Sequence, residues 1–160
     1  MKDSTGFYAT INDSTFIGKE SHNKLYLNDW QNSFVKWKTL NLQLKFSDDK
    51  VIIIDFTDSG SWDAKTMVGK TYLLTGNRNV RYLSGLSYGF YYTTSLSWEM
   101  LYSSSQFGGS GSVTITKVDE IRKTVSGVFK GDILNNGSSI LHIKDGKFFD
   151  LKYYEEIEED

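Results

Sequence analysis

Leu40-Asn41-Leu42-Gln43-Leu44-Lys45-Phe46 decides the fold, because every even position is apolar and every odd one polar. Successive side chains of a strand point to opposite faces, so this stretch reads as a half-buried strand with its leucines inward. Ser47-Asp48-Asp49-Lys50 supplies turn chemistry, and Val51-Ile52-Ile53-Ile54-Asp55-Phe56 follows as a β-branched run that is apolar on both faces. The expectation is an antiparallel hairpin whose second strand is covered on both sides.

Working outward, Phe7 to Ile11 and Thr15 to Gly18 flank Asn12-Asp13-Ser14, which predicts a tight hairpin. Similar β-prone segments recur at Leu25 to Leu27, Lys70 to Thr75, Tyr88 to Thr94, Trp98 to Ser103, Ser112 to Val118, Thr124 to Lys130, Ile140 to Ile143 and Phe148 to Tyr153. One segment breaks the pattern: Trp30, Phe34 and Trp37 fall at i, i+4 and i+7 behind Asn28-Asp29, which predicts one short helix near residues 29–37. No stretch repeats at a fixed period, so a solenoid or propeller is not supported. The expected architecture is all-β: an antiparallel meander closed as a lipocalin-like β-barrel, or folded as a β-sandwich. Residues 1–154 form a single domain in this reading, and 155–160, Glu-Glu-Ile-Glu-Glu-Asp, form an acidic tail that frays.

Composition narrows the chemistry. The chain has 160 residues, suited to one core, and its 10 Tyr, 10 Phe and 4 Trp supply bulky apolar surface to fill it. Net charge is −2, and the basic residues are scattered rather than clustered, which argues against nucleic acid as a partner. There is no Cys, so disulfides, thiolate zinc sites and thiol nucleophiles are excluded, and the compartment stays open. No apolar run approaches the roughly 18 residues that span a bilayer.

From Gly108 the chain reads Gly-Gly-Ser-Gly-Ser-Val-Thr-Ile-Thr-Lys, then Ser126-Gly127-Val128-Phe129, then Asp145-Gly146-Lys147-Phe148. This order of segments resembles a family of small bacterial surface lipoproteins, with weaker similarity at Gly69-Lys70-Thr71-Tyr72-Leu73 and at Ala9 to Asp13. The resemblance carries no activity. It implies an extracytoplasmic protein of the periplasm or outer-membrane surface, whose lipid anchor would lie upstream of Met1; the alternative is a cytoplasmic protein. The shared glycines read as structural. Gly127 lets a bulky neighbour approach a strand, and Gly146 supplies a positive φ in the last turn.

Candidate chemistry is sparse. His22 and His142 have no visible nucleophile beside them, and His142, between Leu141 and Ile143, belongs on the face opposite to both. A hydrolase built from Asp, Glu and His therefore ranks last. Asp55, Asp58 and Asp63 could offer oxygens to a hard cation, but they lack a calcium-loop spacing, and turn chemistry is the simpler reading. Gly108 to Ser112 lacks a phosphate loop's ending and reads as a flexible connector. No cofactor is called for.

The unusual stretch is Tyr82 to Tyr102, which holds Tyr82, Tyr88, Phe90, Tyr91, Tyr92, Trp98 and Tyr102 among Gly, Ser and Thr. Aromatics stabilise sheets, yet this mixture is also that of binding surfaces. The function expected is non-enzymatic binding of a small molecule, a glycan or a protein, on an aromatic β surface or in a barrel interior. The alternative is an inhibitor or immunity-type protein that occludes a partner enzyme.

Overall fold

The computed structural model describes residues 6–29, 36–47, 50–74, 85–91, 98–104, 108–135, 137 and 139–158; for 28–29, 85–91, 98–103 and 158 the description is of the backbone. The Leu40–Phe46 alternation lies within β4 (Lys36–Ser47), which pairs antiparallel with β5 (Lys50–Ser59) and β3 (Glu20–Asp29). Leu40, Leu42, Leu44 and Phe46 are buried, and in β5 both Ile52 and Ile54 on one face and Val51 and Ile53 on the other are shielded, as the two-faced apolar run requires.

β5 pairs onward with β7 (Gly85–Tyr91) and β7 with β8 (Trp98–Ser103), while β12 (Tyr154–Glu158) adds to β3. This sheet runs β12-β3-β4-β5-β7-β8. The other sheet runs β2-β1-β11-β10-β9-β6, built from β1 (Gly6–Ile11), β2 (Ser14–Ile17), β6 (Thr71–Leu73), β9 (Gly109–Asp119), β10 (Thr124–Leu134) and β11 (Ile140–Lys152). Two six-stranded sheets therefore stack as a sandwich, and of the two architectures expected, a closed barrel is not formed by the described strands. Their inner faces meet in one core, with Phe7, Ile115, Phe129 and Phe148 from one sheet against Leu25, Leu42, Ile54 and Phe56 from the other.

Among the described strands pairing is antiparallel except at β12, which lies parallel to β3 because the chain passes from β11 straight across to the other sheet. Tyr153 is the pivot: its ring is buried, and its N–H donates to the Lys123 carbonyl at 2.9 Å. Glu155 to Glu158, expected to fray, are thus strand, since β3 offers them an unpaired backbone edge; Glu159 and Asp160 lie outside the described residues. The short helix expected over 29–37 is contradicted at its flanks. Asp29 pairs with Lys36, and Asn28 with Trp37, so the ladder between β3 and β4 overrides the helical spacing; Trp30 and Phe34 are outside the described residues. The one helical turn described is Ala64–Met67, between β5 and β6, with Asp63 as its cap.

Three glycines expose the packing logic of the first sheet. A Cβ on Gly127 would fall 2.6 Å from the Phe148 ring and 2.5 Å from the Thr114 carbonyl, as its reading from sequence requires. Gly146 differs from expectation. The chain takes its positive φ at Asp145 (53°) instead, in a bulge within the single long strand β11, and Gly146 lies under the Phe129 ring. Gly18 does the same for Phe7 at the corner between the sheets. Gly109 to Ser112, read as a connector, is the paired first part of β9.

Candidate functional site

Of the aromatic residues singled out in sequence, five fall in β7 and β8, and Tyr82 and Tyr92 lie outside the described residues. Register sets Tyr88 between Ile52 and Tyr102, Tyr91 opposite Trp98, and Phe90 opposite Glu99. The ladder slips by one residue between Tyr88 and Gly89, placing an extra residue in β8 and sharpening the local twist. Among the described residues β8 pairs only with β7, so this aromatic hairpin forms a rim of its sheet.

The three aspartates do not converge. Among the described residues no group of three His, Cys, Asp or Glu side chains is placed to hold a metal ion. Asp55 sits in the β4–β5 ladder opposite Asn41, with Oδ1 buried and without a hydrogen-bond partner among the described residues. Burial pushes its carboxyl up to about 6, an effect that a hydrogen bond from Asn41 partly reverses. Asp63 caps the helical turn, accepting from the Lys65 N–H at 3.0 Å.

Asp58 instead joins a cluster that sequence reading missed. Directly opposite it in the ladder is Lys38, which is fully buried; its Nζ lies 3.3 Å from Asp58 Oδ2 and donates to the Ser61 carbonyl at 2.7 Å. Lys70 Nζ reaches both Asp58 oxygens at 3.3 Å, and Thr66 Oγ1 donates to Oδ2 at 3.4 Å. Tyr72 stacks on Phe56 at 4.4 Å beside this group. Burial pushes the Asp58 carboxyl up, but the Lys38 and Lys70 ammonium groups outweigh it and hold the carboxyl below its usual value. Burial likewise pulls the Lys38 amine down, against the pull of Asp58. The Tyr72 hydroxyl is driven up by burial and by the Asp58 charge.

This cluster clasps the crossing from β5 to β6 onto the end of the sandwich. With no exposed surface, Lys38 cannot meet a substrate. A signal for the cluster was present: extending the even-number pattern of β4 back from Leu40 puts Lys38 inward, and extending that of β5 on from Phe56 puts Asp58 inward.

His142 is exposed between buried Leu141 and Ile143, as expected, and its Nδ1 lies 2.7 Å from Asp132 Oδ1. Its backbone N–H donates to Asn12 Oδ1, and Asn12 N–H donates to its carbonyl, each at 2.9 Å. The residue opposite Asp132 on its other side is Ser110, so the carboxylate, rather than the imidazole, is central. That order cannot relay a proton from serine through histidine. His22 is exposed opposite Gln43.

No family model matches this chain, and no curated protein or solved structure does so either.

Proposed function

We infer that the chain is a non-enzymatic binding module whose partner docks on the aromatic hairpin β7–β8. The observation that carries this reading is the register of that hairpin: Tyr91 stands against Trp98 at the rim of a sheet. Paired aromatics give large contact area with few rotatable bonds, and a rim strand adds backbone donors and acceptors to which an extended partner can align. Of the two locations considered, a β surface fits better than an interior, because the described inner-face residues of the two sheets pack into one core. Similarity of the C-terminal third to bacterial surface lipoproteins supports a place in the cell envelope.

The test is capture from an envelope extract of the native host, using the purified protein and its Tyr91→Ala and Trp98→Ala variants. A species retained by the wild type and released by both variants, at unchanged unfolding temperature, is the expected result. Retention by all three overturns the reading.

A further inference from the structure

The outer face of the β2-β1-β11-β10-β9-β6 sheet carries a groove of about 620 Å3, lined by Tyr8, Ser112, Thr114, Val128, Lys130 and Lys147 together with the Asp145–Gly146 bulge. Its origin is the bulge. Register in β11 slips against β1 between Tyr8 and Thr10 and against β10 between Phe129 and Gly131, so three strands bend at one place. Gly146 takes the Phe129 ring on the inner side and presents no side chain on the outer one, which leaves a hollow where a flat sheet would stand.

Side chains along this hollow form one cross-strand row. Ile17, Tyr8, Lys147, Val128, Thr114 and Thr71 are partners in turn across all six strands. Tyr8 and Val128 are exposed, at 37% and 42%. Other lysines of this face are engaged: Lys117 with Asp150, Lys144 with Asp13, and Lys152 with the Arg122 carbonyl. Lys130 and Lys147 form no ion pair or hydrogen bond among the described residues, although Asp145 lies in the same groove.

We propose that this groove binds a segment of an anionic glycan, with the Tyr8 ring against a sugar face, Lys130 and Lys147 on its carboxylates, and the Ser112 and Thr114 hydroxyls on its hydroxyls. Charge complementarity selects an anion, since among the described residues lining the groove two ammonium groups without an ion pair share it with one carboxylate. A peptide is disfavoured because the backbone groups of a sheet face are spent in its ladders and recognition must come from side chains. An apolar ligand is disfavoured by the hydroxyls and charges that share the lining with Val128. The inference is independent of the β7–β8 reading, since its residues all lie on the other sheet.

The experiment is calorimetric titration with hexagalacturonate, cellohexaose and hexaglutamate. Wild type binds hexagalacturonate at least tenfold more tightly than either of the others, and its affinity falls as salt rises. Lys130→Ala/Lys147→Ala and Tyr8→Ala each weaken it at least tenfold, and the lysine variant, altered at exposed positions, keeps the wild-type unfolding temperature. Absence of hexagalacturonate binding at millimolar concentration, equal binding of hexaglutamate or cellohexaose, or unchanged affinity in the lysine variant overturns the proposal.

Discussion

Lys38 carries a charge into a site with no exposed surface, where Asp58 and the Ser61 carbonyl compensate it directly. Asp58 is better served, holding Lys70 and Thr66 as well. Removing one partner of a buried pair costs about 3–5 kcal/mol when the other charge is stranded. Denaturant unfolding should therefore find Asp58→Asn in that range and Lys38→Met clearly milder, since methionine fills the space and Asp58 keeps Lys70. Asp55 is the reverse case, a carboxyl raised from 3.8 to about 6 by burial. Its folded form holds a proton that the unfolded chain has lost, so its contribution is present below about pH 4 and disappears as pH rises through 6. At about 1.4 kcal/mol per pH unit the loss is about 3 kcal/mol. Asp55→Asn should match wild type in unfolding free energy at pH 4 and exceed it by about 2–3 kcal/mol at pH 7.5; an equal effect at both values would contradict this. Both acids stood out in sequence as turn residues or metal ligands. Composition cannot distinguish those roles from the ones found, because the distinction lies in what the opposite strand supplies, a lysine for Asp58 and an asparagine for Asp55.

Among the elements, β11 is where reading and structure part most. Asp145-Gly146 has turn composition, yet β1 and β10 pair on both sides of it, so the chain bulges and continues as one strand. The same ladder makes Gly127 and Gly146 testable. Gly127→Ala meets a backbone carbonyl as well as a ring, and should cost about 3 kcal/mol, the upper range for overpacking. The nearest atoms to a Cβ on Gly146 are those of the Phe129 ring, so Phe129→Leu in the same chain should recover part of the loss from Gly146→Ala, as measured by urea unfolding. At the C-terminus, Tyr153 is buried whereas Tyr154 and Ile157 are largely exposed. Ending the chain after Tyr154 should cost about 1 kcal/mol, and ending it after Lys152 about 3–5 kcal/mol, because only the second opens the core. Alternating strands β4, β1 and β10 were legible because apolar and polar residues separate by face. The full length of β3 was not, because buried Asn23, which donates to the Lys152 carbonyl at 2.9 Å, interrupts its apolar face.

For the molecule as a whole, the all-β class followed from the alternation and the turn residues, while the choice of sandwich over barrel depends on crossings between sheets at Gly18, residues 60–70 and Tyr153. Those crossings are set by contacts distant in sequence, which periodicity does not encode. The described inner-face residues pack into one core, and the proposed docking surface is therefore the outer rim at the aromatic hairpin β7–β8. The most direct measurement replaces Trp98 with a benzophenone amino acid and irradiates the protein in its native host, with Ile121, 95% exposed in the turn before β10, as the control position. The account predicts a discrete adduct from position 98 and none from 121. No adduct from 98, or the same adduct from both, would contradict it.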